Sequence, residues 1–482
     1  MKFQILIIPI LFLLAGCSFY EPQATPFADV PEQYSAFVPG QNMPLADYER
    51  WWLSFNDPQL DAVIAKGFAA NLDLEIAWAR LRQAEAVERK EHSSLWPTLD
   101  LSASSGRSRF VGSSTDLASY QGSLAAAYEL DIWQKLAQER YAASLQRGAA
   151  GHELKAFYLS LAAQLAEAYY QVVERRDRIS LNREIVDSFA KTVELVEWRY
   201  QRGVAPSLDL YQAKQTLLNA KAELPLLEAE NQVAENKLAV LLGSLPGSQE
   251  FGGLAELPDL QLSFAHGLPA DLITNRPDIE AAFLSLKASD AQVAAAIADR
   301  FPSFKLTASY GGQSSELHSL LQSPNLFWNL LANMAQPLLD GGRRRQEVER
   351  QKAIFDERTA SYRLTVLRAF QEVEDALVKE RGVDANMNIL VERQKVTAAT
   401  LRLALERYQQ GLDDFLPVLT AQASDASARI ALIVAQRQRI SSRIQLARAL
   451  GGSWMDEEMS NRSENITASP AALKKREEAD SK

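Results

Sequence analysis

Hydrophobic residues recur at steps of three and four over most of this chain, the spacing that places them on one face of an α-helix. The clearest run starts after residue 206 and ends before Gly243. Its seam positions alternate steps of three and four, as in a coiled coil: Leu210, Ala213, Leu217, Ala220, Leu224, Leu227, Asn231, Ala234, Leu238 and Leu241. A similar run begins at Leu416. The pattern predicts long helices that pack along continuous faces.

Four shorter stretches have a period of two instead, which is the alternation of a β-strand with two different faces. We predict strands at about residues 97–109, 119–131, 302–312 and 326–340. Their length fits strands that cross a membrane within a barrel, although a soluble hairpin has the same pattern.

The order helix, strand, strand, long helix, helix occurs twice. We predict repeat 1 over residues 59–243, with a helical hairpin at 132–243, and repeat 2 over 275–452, with a helical hairpin at 343–450. A connector rich in proline and glycine, 244–274, separates the repeats. Matched positions lie about 205 to 209 residues apart, which indicates a duplicated architecture. The fold class is therefore mainly α with a small β part.

Each helical hairpin turns at a short sequence, one near residue 203 and one near residue 411. Residues 199–204 are Arg-Tyr-Gln-Arg-Gly-Val, and residues 407–412 are Arg-Tyr-Gln-Gln-Gly-Leu. Glycine commonly ends a helix because it adopts the left-handed conformation without a Cβ clash. A single turn of this kind is explained by a helix cap without any partner, but two matched turns favour a shared role.

The chain begins with the composition of a secretory signal peptide at residues 1–16, where Lys2 precedes an apolar run too short to span a bilayer. Residues 14–17, Leu-Ala-Gly-Cys, resemble a bacterial lipobox, which implies lipid attachment at Cys17. An ordinary signal peptide with an incidental cysteine is the alternative. In lipoproteins, Ser18 after the cysteine implies sorting to the outer membrane.

Residues 17–58 are rich in proline and predict an extended, lipid-anchored segment that Trp51, Trp52 and Phe55 pin to the body. The polar residues 453–482 predict a disordered tail.

Composition excludes several functions. The net charge of −10 argues against a nucleic-acid partner, because phosphate binding needs a basic face. Arg343 to Arg345 suggest a solvated helix start more than a site for nucleic acid or lipid headgroups. No metal site or cofactor is predicted, because the histidines have no ligand spacing: His92, His152, His266 and His318. No nucleophile motif or phosphate-binding loop occurs, so we predict no enzyme.

Four strands in one chain cannot close a barrel with room inside, and an open sheet edge is unfavourable in lipid. One hairpin also cannot bury helical seams of about 100 Å. We therefore expect copies of the chain to complete the structure in a closed ring. The sequence alone does not give the number of copies.

Three motifs resemble the outer membrane factor family, the TolC-like group, and most nearly its OprM/NodT-type lipoproteins. They are Asn275-Arg276-Pro277-Asp278-Ile279, Ala298-Asp299-Arg300-Phe301-Pro302, and residues 336–345, Gln-Pro-Leu-Leu-Asp-Gly-Gly-Arg-Arg-Arg. The resemblance covers nearly all of residues 48–452. It implies a homotrimer with a 12-stranded β-barrel in outer-membrane lipid, continued by a long periplasmic α-helical barrel.

Such proteins are exit ducts for efflux or type I secretion, which a periplasmic membrane-fusion adaptor joins to an inner-membrane pump of the RND or ABC type. The resemblance assigns adaptor docking to the hairpin tips: Arg202, Gly203, Val204, Gly411 and Leu412. The alternative is a lipid-anchored periplasmic coiled-coil scaffold without a pore, which would not need the alternating strands.

The resemblance also places a periplasmic gate beside the tips: Tyr200, Asp209, Tyr408, Asp413 and Asp414. A ring of carboxylates at a constriction favours cations. Each aspartate has an alternative explanation as a helix N-cap or a solvated acid. Pro417 occupies a position where relatives often carry a polar or acidic residue, so the details of the gate differ from theirs.

Overall fold

The structure of the protein is a computed structural model that describes residues 20–25, 50–109, 111, 117–247, 257–258 and 275–467. The predicted signal peptide, Cys17 and most of the connector lie outside these residues. The described residues belong to two compact units. The first unit consists of the described residues within the ranges Met1–Ala28, Ala79–His152 and Glu280–Thr365. The second consists of the described residues within Asp29–Trp78, Glu153–Ile279 and Val366–Lys482.

Repeat 1 contains two short helices, two strands and two longer helices. They are α1 (Pro58–Ala70), α2 (Leu72–Ser93), β1 (Thr98–Ser108), β2 (Leu117–Leu130), α3 (Lys135–Gln201) and α4 (Ser207–Leu241). The carboxylate of Asp57 caps α1 by accepting the N–H groups of Gln59 at 3.0 Å and Leu60 at 3.2 Å. Such a cap satisfies donors that the first turn of a helix leaves free.

Repeat 2 follows the same order. Its elements are α5 (Pro277–Ala298), β3 (Ser303–Ser314), β4 (Leu326–Ala335), α6 (Arg343–Gln409) and α7 (Leu416–Leu450). The long helices α3 and α6 have 67 residues each, and α4 and α7 have 35 each. The duplication therefore extends to the lengths of the hairpin arms, and the prediction of a mainly helical chain with a small β part is confirmed.

The seam of α4 is packed along its whole length. All ten seam positions named above are buried or half-buried, and the buried ones are Leu210, Ala213, Leu227, Ala234 and Leu238. Pro225 lies inside this helix without ending it. Burial of a continuous apolar stripe supplies most of the stability of such a helix.

The four strands form one antiparallel sheet in the order β1-β2-β3-β4. Leu101 pairs with Leu124, Leu124 with Tyr310, and Tyr310 with Trp328, so one row of side chains crosses the whole sheet. Among the described residues, β1 and β4 each have a strand partner on one side only. The sheet therefore has two open edges.

Two predicted boundaries need correction. The strand predicted at 326–340 is too long, since β4 ends at Ala335 and Pro337 has no N–H to continue the ladder. Within the tail predicted to be disordered at 453–482, Met455–Thr467 form a helix instead, α8, while residues 468–482 lie outside the described residues.

The ring of Trp454, just before α8, explains the second correction. It packs against Trp52 at 4.8 Å and Phe68 at 5.8 Å between ring centroids. The carboxylate of Glu458 in α8 accepts a hydrogen bond from Arg50 at 2.9 Å. One aromatic anchor and acidic residues in the first turn thus order a segment whose polar composition is typical of disorder.

Candidate functional site

The sheet has one apolar and one polar face. The apolar face carries Leu99, Leu101 and Ala103 of β1, Leu124, Ala126, Tyr128 and Leu130 of β2, Phe304, Leu306, Ala308 and Tyr310 of β3, and Trp328, Leu330, Ala332 and Met334 of β4. Opposite residues of an antiparallel pair point to the same side, so this surface is continuous.

Much of the apolar face is exposed in the single chain. Leu101 is 82% exposed and Trp328 77%. The rows from Phe304 to Tyr310 span roughly 20 Å, at about 3.3 Å per residue. Aromatic side chains lie near both ends of this band, with Tyr310 and Trp328 at one end and Tyr128 and Phe304 at the other. An apolar band with aromatic ends is the outer surface of a membrane strand.

The other face is mainly polar and hydrogen-bonded across the strands. The hydroxyl groups of Ser102 and Ser123 lie 2.9 Å apart, and Ser309 donates to the side chain of Asn329 at 2.8 Å. Lys305 lies 3.5 Å from the carboxylate of Glu129, its directly opposite partner. This face suits water, so the sheet separates a lipid-facing side from an aqueous side.

The two hairpin tips have the same backbone structure. Gly203 and Gly411 both have a φ of 75°. Gly203 N–H donates to the Tyr200 carbonyl oxygen at 2.9 Å and Val204 N–H to the Arg199 carbonyl oxygen at 3.0 Å. The equivalent bonds in the second tip, from Gly411 to Tyr408 and from Leu412 to Arg407, are 3.0 and 2.9 Å. This pair of bonds is the Schellman motif.

The tips present small apolar side chains beside open space. Val204 is 59% exposed and Leu412 61%. A Cβ added at Gly203 would meet nothing within 4 Å, and one at Gly411 only the end of the Arg199 side chain at 3.8 Å. The guanidinium of Arg202 lies 3.9 Å from the ring centroid of Trp198, so it stays on its own helix. Each tip is thus a glycine surface with an apolar knob at its edge.

Arg199 connects the two tips. Its Nη1 donates to the carbonyl oxygens of Tyr408 at 2.8 Å and Gln409 at 3.3 Å, and its guanidinium lies 4.5 Å from the centroid of the Tyr408 ring. These carbonyls belong to the last turn of helix α6, where the i+4 partners of the helix run out. The Tyr408 oxygen therefore accepts both the Gly411 N–H of the turn and Arg199. A cation at that point is favoured by the remaining acceptor capacity of these carbonyls and by the helix dipole. Sequence reasoning did not identify Arg199.

The two predicted gate tyrosines are in different environments. Tyr408 is 2% exposed and packs against Phe415 with 5.4 Å between ring centroids, whereas Tyr200 is 44% exposed. Burial, and then the negative charge of Asp209, raise the pKa of Tyr408. Tyr408 belongs to an apolar cluster that contains residues of all four hairpin helices: Val193, Val196, Leu210, Ala213, Ala404, Phe415, Val418 and Ala421.

The three predicted gate carboxylates also differ. Partial burial, and then the nearby charge of Asp414, raise the pKa of Asp209. Asp413 accepts two hydrogen bonds from Arg407, at 2.6 and 3.0 Å, and these lower its pKa. The structure therefore brings Asp209 and Asp414 together as interacting acids, while Asp413 is neutralised by its own arginine.

A two-faced membrane sheet joined to long helical hairpins defines an outer-membrane transport protein. The chain belongs to the outer membrane efflux protein family, whose profile matches residues 64–244 and 268–452. It is similar to the outer membrane protein OprJ of Pseudomonas aeruginosa, with 30% identity across 92% of this chain and 95% of that protein.

Solved structures agree with this assignment. The outer-membrane channel OprN has a TM-score of 0.86 to this chain at 27% identity, covering 91% of this chain and 100% of that one. The open state of the MtrE outer membrane channel of Neisseria gonorrhoeae has a TM-score of 0.80 at 26% identity, covering 90% and 97%. The chain is therefore an efflux channel protein of the bacterial outer membrane.

Proposed function

We propose that three copies of this chain form the exit duct of a tripartite efflux system. The observation that carries the proposal is the sheet with two open edges and one lipid-facing side. In hydrocarbon each unpaired N–H or C=O group costs several kcal/mol, so β1 and β4 need partner strands. Pairing β4 of one copy with β1 of the next closes a 12-stranded barrel without any edge.

Exposed stripes on the hairpins support the same assembly. On α4 five exposed apolar residues recur every seven or eight positions, at Tyr211, Leu218, Leu226, Val233 and Val240, and on α6 three recur every seven, at Ile389, Val396 and Leu403. Leu208 on α4 and Leu364, Leu367 and Val378 on α6 are exposed as well. A heptad stripe on the surface of a helix is the packing face of a helical bundle. Neighbouring copies that join these stripes form the wall of a periplasmic α-helical barrel below the membrane.

The glycine tips are the proposed docking site for a periplasmic membrane-fusion adaptor. Helical hairpins of an adaptor can approach closely at Gly203 and Gly411, because no side chain keeps them away. Val204 and Leu412 then supply apolar contact, and Arg202 borders the first tip. The adaptor in turn connects the duct to an inner-membrane pump, of the RND or ABC type, that provides the energy.

The proposed gate consists of two layers at the tips. Arg199 and Tyr408 hold the hairpins of one copy together, and Asp209 with Asp414 places interacting acids next to this junction. Threefold symmetry repeats each acid around the axis, which favours cations at the constriction. Asp413 contributes less than the sequence suggests, since Arg407 neutralises it. Tyr200, which is exposed, remains available to a neighbouring copy.

Lipid attachment at Cys17 is part of the proposal, and it rests on the lipobox sequence. The pore-free scaffold is the weaker candidate, because a coiled-coil scaffold has no use for an apolar sheet face that is exposed to its surroundings.

The test is the conductance of the purified full-length protein in planar lipid bilayers. We expect stepwise currents of uniform size, a preference for cations over anions, and a particle mass of three chains in detergent. A monomeric particle that never conducts would contradict the duct and support the scaffold.

A further inference from the structure

One buried carboxylate of the first unit holds a short segment close to the N-terminus. Asp290 lies on α5 and accepts hydrogen bonds from the hydroxyl group of Tyr20 and from the backbone N–H groups of Gln23, at 2.8 Å, and Ala24, at 3.1 Å. The donors are about 270 residues away along the chain. The contact is therefore a tertiary one, between a helix and a segment without regular structure.

Asp290 is suited to holding this segment, and the described residues show no other function for it. Its residue is only 4% exposed, within a helix of mainly small and apolar residues. A buried carboxylate must be hydrogen-bonded, because burying an unpaired charge is very unfavourable. Among the described residues, its hydrogen-bond donors all come from residues 20–24. Burial and the Asp290 carboxylate raise the pKa of Tyr20, so the hydroxyl group keeps its proton and donates.

The position of this contact matters because Tyr20 lies three residues after Cys17. A fully extended chain of three residues spans about 10 Å. Asp290 is eight residues before the end of α5, which is about 12 Å along the helix axis, and β3 begins at Ser303. A group attached to Cys17 is thus confined to the neighbourhood of α5 and of the start of the membrane sheet.

We propose that Asp290 is the docking residue for the segment that follows the lipid-bearing cysteine, and that it fixes the lipid anchor beside the chain's own membrane strands. The proposal rests on the proposed acylation of Cys17 for its lipid, although the docking contact itself does not need it. Two of the three donors are backbone groups, so the contact depends on Asp290 and Tyr20 more than on the residues between them.

The test measures the mobility of the segment. Because Cys17 is the chain's one cysteine and acylation blocks its thiol, Glu21→Cys gives a single site for a nitroxide spin label in the full-length protein. Glu21 is exposed and does not contact Asp290 by any bond the structure shows. In this parent we expect a motionally restricted spectrum at room temperature.

Asp290→Asn keeps the shape of the side chain and removes the charge and one acceptor, and it should shorten the rotational correlation time of the label several-fold. Tyr20→Phe removes one donor without altering α5, and it should have a smaller effect in the same direction. Ser289→Ala is the matched control, because its hydroxyl group bonds to the Leu286 carbonyl oxygen at 2.7 Å within the helix. We expect no change in that variant.

A label that is mobile in the parent, or equally restricted in the parent and Asp290→Asn, would overturn the docking role. Mass spectrometry of the mature N-terminus tests acylation separately. If the chain is not acylated, the label is placed in a Cys17→Ser background, so that Glu21→Cys remains the one thiol. Release of that label by Asp290→Asn then retains the docking contact and refutes only the lipid. An acylated chain with a freely mobile label refutes the docking contact and leaves the lipid in place.

Discussion

The turns at Gly203 and Gly411 have the same backbone hydrogen bonds, yet the arginine that precedes each turn has different partners. Arg199 reaches across to the carbonyl oxygens at the end of α6, while Arg407 folds back onto Asp413 six residues later. As a result the first tip donates the hydrogen bonds that join the two tips, and the second tip accepts them. Duplicated sequences can thus keep the same backbone structure while equivalent side chains take different roles. Here Arg199 joins the two tips, and Arg407 pairs within its own tip.

The largest expected effect is a loss of export when the glycine that both tips share is replaced. Gly203→Leu and Gly411→Leu each fill the space into which an adaptor would pack, and each places a side chain at a φ of 75°. The left-handed conformation costs about 1–2 kcal/mol, too little to disrupt a trimer. We expect either variant to reduce export, measured as drug resistance of the cells, to that of a deletion strain.

Gly382→Leu is the control for that pair, since Gly382 lies inside α6 with nothing within 4 Å of an added Cβ. It should leave resistance unchanged. Full resistance in both tip variants would exclude adaptor docking at the glycines, and loss in only one would mean that the tips are not equivalent.

The next largest effect is on channel opening, and it comes from Arg199, which has no counterpart with the same partners in the second tip. Arg199→Gln removes a charged donor from two carbonyl oxygens, and hydrogen bonds to charged groups contribute about 1.5–3 kcal/mol. We expect a larger open probability in planar bilayers.

Arg407→Gln is the matched comparison, because it loses only an exposed pair with Asp413. Exposed pairs contribute little, so its currents should resemble those of the wild type. Equal changes in the two variants would show that the asymmetry between the tips has no effect on gating.

Opposite pH dependence of the two tips is a smaller effect. The raised pKa of Asp209 means that the junction between the tips, our proposed gate, is more stable when this group is protonated. Its stability therefore falls as pH rises through the window above the ordinary value of 3.8. The lowered pKa of Asp413 has the other sign, because its contribution is present above 3.8 and is lost as pH falls below that value.

Open probability measured between pH 3 and pH 6, as an approximate range around those values, separates the two groups. Asp209→Asn should remove the increase in opening as pH rises. Asp413→Asn should remove only a much smaller increase as pH falls, because the pair of Asp413 with Arg407 is exposed. Unchanged profiles in both variants would show that neither carboxylate senses the state of the gate.

The smallest expected effect is at the apolar knobs. Val204→Ser and Leu412→Ser keep the backbone and remove apolar surface, at about 0.8 kcal/mol per buried CH₂. Each should weaken adaptor binding several-fold in a pull-down titration, and Leu412→Ser more than Val204→Ser, because it removes one more carbon from a similarly exposed position. Unaltered binding in both would place the adaptor elsewhere on the tips.

The tips also show what the sequence can and cannot predict. Gly203, Gly411 and the seam of α4 follow from local patterns, since a left-handed turn needs glycine and a packed helix face needs apolar residues at helical spacing. The bond from Arg199 to Tyr408 joins residues 209 apart through a backbone oxygen, which has no sequence signature.

The hydrophobic periodicity also did not predict which polar residues are buried by tertiary contacts. Helix α7 buries Gln422, which donates to Thr192 at 2.7 Å, whereas Leu416 at its start is exposed. Asp290 and the helix after Trp454 belong to the same group. Each contacts a partner that is far away along the chain, whereas the periodicity of a sequence reports only on residues a few positions apart.

The central claim is that one chain is incomplete and that copies join β4 to β1. The most direct measurement is disulfide formation in membranes between Ser102→Cys on β1 and a cysteine placed in turn at Phe327, Asn329 or Leu331 on β4, which share the polar face. We predict that one of these pairs gives a covalent species of three chains on a non-reducing gel. Species of one chain only in all three pairs, or an open ladder beyond three chains, would contradict the closed barrel.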